Sequence, residues 1–325
     1  MTKIMTYCEA LRTTTAQEMR RDKNVYLIGE DVGRWGNLMG CSRGLLQEFG
    51  TAQVKDSPIS EAALAGCAVG SALMGMRPIA EIMYIDFITI AMDQMINHAA
   101  KYHQLSNGKV KLPIVFRTMQ GVGMRNASQH SQCFENWFVN VPGLITVMPS
   151  TPADMSGLLR TAVRDDNPVL IIEHKALYYT KGEVPEGDFT IPFGVADIKR
   201  EGSDVTIIAT SWMVLKALEA AAELLKEGIS AEVLDPRTLW PLDKESIARS
   251  IRKTGRCVVV TEAPAEGGWS GEVSAVVMEE CFQDLKAPVK RICGMRTGIP
   301  YGAVLEKSVV PDAKWIVDGV KATIL

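Results

Sequence analysis

Residues 56–83 read DSPISEAALAGCAVGSALMGMRPIAEIM, and this stretch decides the fold class. Between Glu61 and Arg77 no charged residue occurs. The run is shorter than the ~20 apolar residues a membrane span needs. It is rich in Gly and Ala rather than Leu, so it predicts a buried helix over residues 59–76 of a globular protein. Arg77 to Met83 (RPIAEIM) then predicts a short strand opened by proline. The same rhythm extends outward. Upstream, an amphipathic helix over Thr6 to Arg21 precedes a strand over Asn24 to Gly29. Downstream come a helix over Ile88 to Gln104 and strands over Leu112 to Arg117, Leu144 to Met148 and Val169 to Glu173. Thr151-Pro152 opens the intervening helix as N-cap and first-turn proline.

A polar stretch (EVPEGD, 183–188) begins a linker reaching about Gly202, after which the alternation restarts. Strands are predicted over 204–210, 231–234, 257–261 and 289–292, with helices over 213–227, 244–254, 270–282 and 311–324. Strand–helix alternation predicts an α/β protein with mainly parallel sheets flanked by helices. The 325 residues suit two domains at ~100–200 residues each. The expected division is 1–185, a linker 186–202, and 203–325.

Composition narrows the function classes. Lys plus Arg number 35 against 38 Asp plus Glu, giving a net charge of -3, so neither a nucleic-acid surface nor an acidic tail is indicated. Seven scattered cysteines without a CxxC pair argue against a disulfide framework or a zinc site. No signal-like segment opens the chain and no run suits a membrane helix, so a cytoplasmic protein is expected. A mean hydropathy of +0.06 requires a large core or a buried subunit interface, and composition does not choose between them. Gly66 and Gly70, four apart on the predicted helix, would let another helix approach closely, within the domain or across an interface.

Dinucleotide (GxGxxG), P-loop, GxSxG and HExxH signatures are absent, and the histidines are only His98, His103, His130 and His174. Glu61 alone would be an ordinary first-turn carboxylate favoured by the helix dipole. At the mouth of an apolar helix it can also be partly desolvated, which suits it to proton transfer. His130 lies in a long aperiodic segment, Met119 to Pro142, of the kind that more often carries function than ornament. RDDNP (164–168) is a turn signal between helix and strand.

Taken in order, LIGEDV (27–32), residues 56–83, FITIAMDQMINHAAKY (87–102), QHSQCFENW (129–137), VPGL (141–144), MPSTPAD (148–154), AVRDDNPVL (162–170), EVLDPRTLW (232–240) and APVKRI (287–292) carry a resemblance across the whole chain. The sequence resembles the beta subunit of the thiamine-diphosphate-dependent, decarboxylating component of 2-oxoacid dehydrogenase complexes, of pyruvate, branched-chain or acetoin type. The resemblance implies a transketolase-like pyrimidine-binding domain followed by a transketolase C-terminal-type domain. It implies a heterotetramer of two alpha and two beta chains with thiamine diphosphate at the alpha–beta interfaces, and transfer of an acyl group to a lipoyl-bearing acyltransferase core.

By the same resemblance, Glu61 hydrogen-bonds the aminopyrimidine and promotes loss of the thiazolium C2 proton. Phe87 stacks on the pyrimidine, and Ile90 gives an apolar wall where many relatives are polar. His130 lies near the reacting centre, and Glu30 lines the path between two cofactor sites. A structural potassium ion would sit at Ile114, Ala162, Val163, Asp165 and Asn167, held mostly by backbone carbonyls. The chain has no Gly-Asp-Gly signature for magnesium diphosphate, so an alpha partner is expected to hold that end. Two other readings are a split transketolase-like half acting on sugar phosphates and a non-catalytic subunit that docks the acyltransferase core. Glu61 and His130 speak against the latter.

Overall fold

The computed structural model describes residues 1–324. The chain divides into two compact units, Met1–Gln120 with Trp137–Phe193, and Gly121–Asn136 with Gly194–Leu325. The chain leaves the first unit after Gln120, returns at Trp137, and leaves again after Phe193. That last crossing falls inside the stretch expected to be a linker, but the stretch also carries a strand of the second unit.

In the first unit the strands are β1 (Thr2–Thr6), β2 (Val25–Gly29), β3 (Val54–Asp56), β4 (Arg77–Tyr84), β5 (Val115–Gln120), β6 (Ile145–Val147), β7 (Val169–His174) and β8 (Lys181–Pro185). A parallel sheet runs in the order β6-β7-β5-β4-β2-β3. Every residue of β2, β5 and β7 is buried, as expected where helices cover both faces. From β2 the chain goes to β3 on one side and then to β4 on the other, so the order reverses about β2. In such sheets the crevice beyond the carboxyl ends of the strands, at the reversal, is where ligands bind.

Local sequence explains the flanking helices. Tyr7–Arg21 starts with a reciprocal capping box. Thr6 Oγ1 accepts from the Glu9 amide at 3.1 Å, and the Glu9 carboxylate accepts from the Thr6 amide at 2.8 Å. Pro152–Arg164 starts on Thr151, whose hydroxyl accepts from the Asp154 amide at 3.0 Å. The uncharged run forms the helix Glu61–Leu73.

Some local features differ from the sequence expectations. The single helix over 88–104 is instead a helix Ile85–Asp93, a π-helical stretch Gln94–Ala99, and a short helix Tyr102–Leu105. A side-chain periodicity cannot distinguish a widened turn from a regular one. Close by, Gly143 approaches this segment so tightly that a Cβ there would lie 2.1 Å from the Ala100 carbonyl oxygen. The polar stretch at 183–188 contributes to β8, which pairs antiparallel with β1, Thr2 opposite Pro185 and Thr6 opposite Lys181. Neither strand alternates strongly, because both are mostly exposed and only Val184 among their residues is buried.

The second unit contains β9 (Asp197–Arg200), β10 (Val205–Ala209), β11 (Ala231–Asp235), β12 (Thr238–Trp240), β13 (Cys257–Pro264) and β14 (Lys290–Gly294). Its sheet order is β14-β13-β10-β11-β9, parallel except for β9, which is antiparallel to β11. Val205, Ile207, Val233, Val258 and Val260 meet helices Trp212–Lys226 and Ala313–Ile324 in one core. Among the described residues, no helix is long and apolar enough to cross a membrane.

Candidate cofactor and catalytic site

The resemblance-derived residues of the first unit converge on the carboxyl edge of its sheet. Glu30 directly follows β2, Glu61 opens the helix after β3, and Phe87 and Ile90 lie in the helix after β4. These are the three strands about which the order reverses. Glu61 is only 6% exposed, yet its carboxylate has no hydrogen-bond or ion-pair partner among the described residues. Burying a carboxylate without a partner is costly. Its place at the helix N-terminus offsets part of that cost through the dipole. Such a group is poised to take a hydrogen bond from a ligand. Glu30 is half-buried, and its pKa is raised, first by burial and then by the negative charges of Glu61, Asp31 and Glu81. Phe87 is partly buried, its ring edge-on to Tyr84 at 6.1 Å between centroids. Ile90 is 53% exposed, so it presents an apolar surface outward.

Beneath this edge lies a buried charge network that sequence reasoning missed. Arg117 on β5 sits between β4 and β7. Its Nη1 donates to Glu81 at 2.8 Å, and its Nε and Nη2 donate to the two Glu173 oxygens at 2.7 and 3.0 Å. Tyr178 donates its hydroxyl proton to Glu173 at 2.7 Å, and the Asn37 amide donates to Glu81 at 2.9 Å. All five side chains are essentially buried. Two carboxylates share one guanidinium. The Glu81 pKa is accordingly raised, by burial first and by the Glu173 charge against the opposing effect of Arg117. Asn37 also accepts, through Oδ1, from the amides of Met39 and Cys41, so the loop after β2 is fastened to the network. The signal was present: Glu81, Arg117 and Glu173 are each a charged residue within a largely buried strand, and Glu81 and Arg117 are register partners.

His130 belongs to the second unit, in a turn where its amide donates to the Ala127 carbonyl at 3.5 Å. Arg125 and Ala127, both non-glycine, have φ of 55° and 58°. Such residues cost of order 1–3 kcal/mol each and persist where surrounding contacts impose them. Those contacts are visible. The Val122 amide donates to Glu262 at 2.7 Å, the Arg125 amide to Glu306 at 3.0 Å, and the Asn136 side chain to the Gly267 carbonyl at 2.6 Å. The aperiodic segment is thus an ordered part of the second unit, held by side chains far along the chain.

The residues expected to hold potassium gather around one turn of the first unit. The Ile114 carbonyl accepts from the Val169 amide at 2.8 Å, joining the start of β5 to β7. The Val163 and Asp165 carbonyls both accept from Arg77 Nη1, at 3.0 and 2.9 Å. The Asp165 carboxylate accepts from the Asn167 amide and side chain, both at 2.8 Å. Ala162 is in the last turn of the preceding helix. The donor set is oxygen, which suits a hard cation. Arg77 occupies one lone pair of two of these carbonyls and leaves the other. Its charge is balanced by Asp166, whose pKa is lowered by its bond to Lys111 and then by Arg77.

Comparison with known proteins accounts for this arrangement. Residues 3–181 match the family described as "Transketolase, pyrimidine binding domain", and residues 194–316 match "Transketolase, C-terminal domain". The 2-oxoisovalerate dehydrogenase subunit beta of Bacillus subtilis (strain 168) is 47% identical, covering 95% of this chain and 96% of that protein. The acetoin:2,6-dichlorophenolindophenol oxidoreductase subunit beta of the same organism is 45% identical, covering 98% and 96%. The pyruvate dehydrogenase E1 component subunit beta of Rhizobium meliloti is 44% identical, covering 98% of this chain and 69% of that protein. A solved structure described as a split gene transketolase, inactive beta4 tetramer, is 23% identical with a TM-score of 0.81 over 98% of both chains, and so shares the fold. With both domains matched in order and near full-length identity to three such subunits, the chain belongs to the transketolase-like family of beta subunits of 2-oxoacid and acetoin dehydrogenase first components.

Proposed function

We propose that this chain is the beta subunit of a thiamine-diphosphate-dependent 2-oxoacid or acetoin dehydrogenase and, with an alpha subunit, forms a heterotetramer that cleaves a small-molecule substrate and hands the acyl group to a lipoyl-bearing acyltransferase. The observation that carries the reading is Glu61: a buried carboxylate without a partner, on the carboxyl edge where the strand order reverses. It fits the pyrimidine end of the cofactor, whose bound form supplies a carbon nucleophile and electron sink. Glu61 holds a proton at a ring nitrogen, Phe87 and Ile90 offer apolar contact to a ring, and Glu30 adds a carboxylate beside Glu61. His130 is assigned to stabilising intermediates or to acyl hand-off near the reacting centre. The alpha subunit holds magnesium and the diphosphate, and it covers apolar side chains such as Ile59, Met74 and Ile90 that are exposed in the isolated chain. Potassium is assigned to the turn of Ile114, Ala162, Val163, Asp165 and Asn167.

The three relatives differ in substrate yet are 44–47% identical, so overall identity does not select the substrate. Reconstituting the heterotetramer and assaying pyruvate, branched-chain oxoacids and acetoin names it. In that assembly Glu61→Gln is expected to lower turnover by at least ~100-fold, the usual scale of lost proton-transfer catalysis. Near-normal turnover with intact assembly would show a docking subunit instead.

A further inference from the structure

A cavity of about 390 Å³ opens in the second unit, beyond the carboxyl ends of β13 and β14. The residues assigned above do not line it. One wall comes from the inserted segment through Ser128, Cys133 and Phe134, and the other from the turn after β14, through Met295, Arg296 and Thr297. The size is that of a small-molecule site. Arg296 is exposed, and its guanidinium has no hydrogen bond or ion pair among the described residues. Arg296, whose guanidinium is uncommitted, lines the cavity together with Ser128 and Thr297, a set of side chains that suits a planar anionic oxygen pair. The rest of the lining is largely apolar: Phe134, Pro264, Met295, Ile299 and Val309. One acidic residue, Glu262, also lines the cavity. A dianion such as phosphate would face that carboxylate and would leave the apolar wall uncovered, whereas a monoanion with a hydrocarbon arm satisfies both.

We propose that this cavity is a binding site for a small organic monocarboxylate, with Arg296 gripping the carboxylate and the Phe134–Met295–Ile299 wall taking an apolar arm. The site lies wholly within the second unit and its lining residues Ser128 and Ser131 flank His130, but it does not involve Glu61, so it is tested separately from the proposed function.

Cys133, partly buried in the same wall and not in a disulfide, reports occupancy. The full-length chain is alkylated with iodoacetamide, and the rate at Cys133 is followed by mass spectrometry, with exposed Cys67 as internal control. Butyrate is the probe, butyramide the neutral isostere, and inorganic phosphate the small anion. Butyrate is expected to slow Cys133 alkylation saturably, about tenfold at ten times the half-saturating concentration, as mass action requires of one site. Cys67 should be unaffected, Glu61→Gln should leave the protection intact, and Arg296→Gln should abolish it. Gly298→Leu, which adds a side chain toward Ser128, should abolish it by filling the space. Isothermal titration of the same variants gives the answer should the thiol react too slowly. Equal protection by butyramide or phosphate, unchanged protection in Arg296→Gln, or no butyrate binding by either method would overturn the proposal.

Discussion

Replacing Arg117 by Met tests the buried network most directly. The side chain is 3% exposed, and among the described residues it is the sole cation bonded to Glu81 and Glu173. Methionine fills much of the volume but leaves two buried carboxylates facing each other. Breaking a buried pair by removing one partner costs about 3–5 kcal/mol. For a unit of roughly 180 residues, that corresponds to a loss of ~6–20 °C in melting temperature. The pH dependence adds a second constraint. The folded-state pKa of Glu81 is already raised, so the native state binds more protons than the unfolded state above the ordinary carboxylate value. Its contribution to stability therefore falls as pH rises through that window. Arg117 is the group opposing the shift, so its loss extends the window upward. The penalty should be smaller near pH 5 and largest near pH 8. Hydrogen exchange at amides of β4, β5 and β7, measured across pH, isolates the first unit from the second. A penalty below ~1 kcal/mol, or one equal at both pH values, would refute the reasoning.

Further outcomes are expected elsewhere. Asn37→Ala removes the donor to Glu81 and the acceptor for two loop amides, and should cost about 1–3 kcal/mol, with faster exchange at Met39 and Cys41. Gly143→Ala places a Cβ 2.1 Å from the Ala100 carbonyl at a φ of +91°, and should lower the melting temperature by an overpacking cost of about 1–3 kcal/mol. Thr6→Ala breaks the capping box, with an expected loss of about 0.5–2 kcal/mol in denaturant unfolding. If the 162–167 turn holds potassium, exchanging KCl for NaCl at equal ionic strength lowers the melting temperature, and a sodium-insensitive value speaks against the assignment.

Most strands and helices were legible because each is a local statement: a short apolar run, a cap three residues from its partner, a proline at a first turn. Glu61 stood out because it abuts a long uncharged helix, although its role came from resemblance rather than from that placement. The Glu81–Arg117–Glu173 network was not read, since the three charges meet only once β4, β5 and β7 lie side by side. For the same reason β1 and β8 went unrecognised: each is polar and short, and pairing alone makes it a strand. The segment carrying His130 was seen as aperiodic, but its allegiance to the second unit depends on Glu262, Gly267 and Glu306, which no local window includes.

That allegiance has a consequence for the nascent chain. Arg125 leaves the ribosome 181 positions ahead of Glu306, the carboxylate that receives its amide. At ~5–20 residues per second, translation separates the two by roughly 10–40 s. Throughout that interval the loop bearing His130 emerges from an otherwise completable first unit with no surface of its own to rest on. Protease nicking of stalled or truncated chains should therefore concentrate between Gly121 and Asn136. A separately expressed fragment beginning at Gly194 would lack the piece that its own Glu262 and Glu306 are placed to receive.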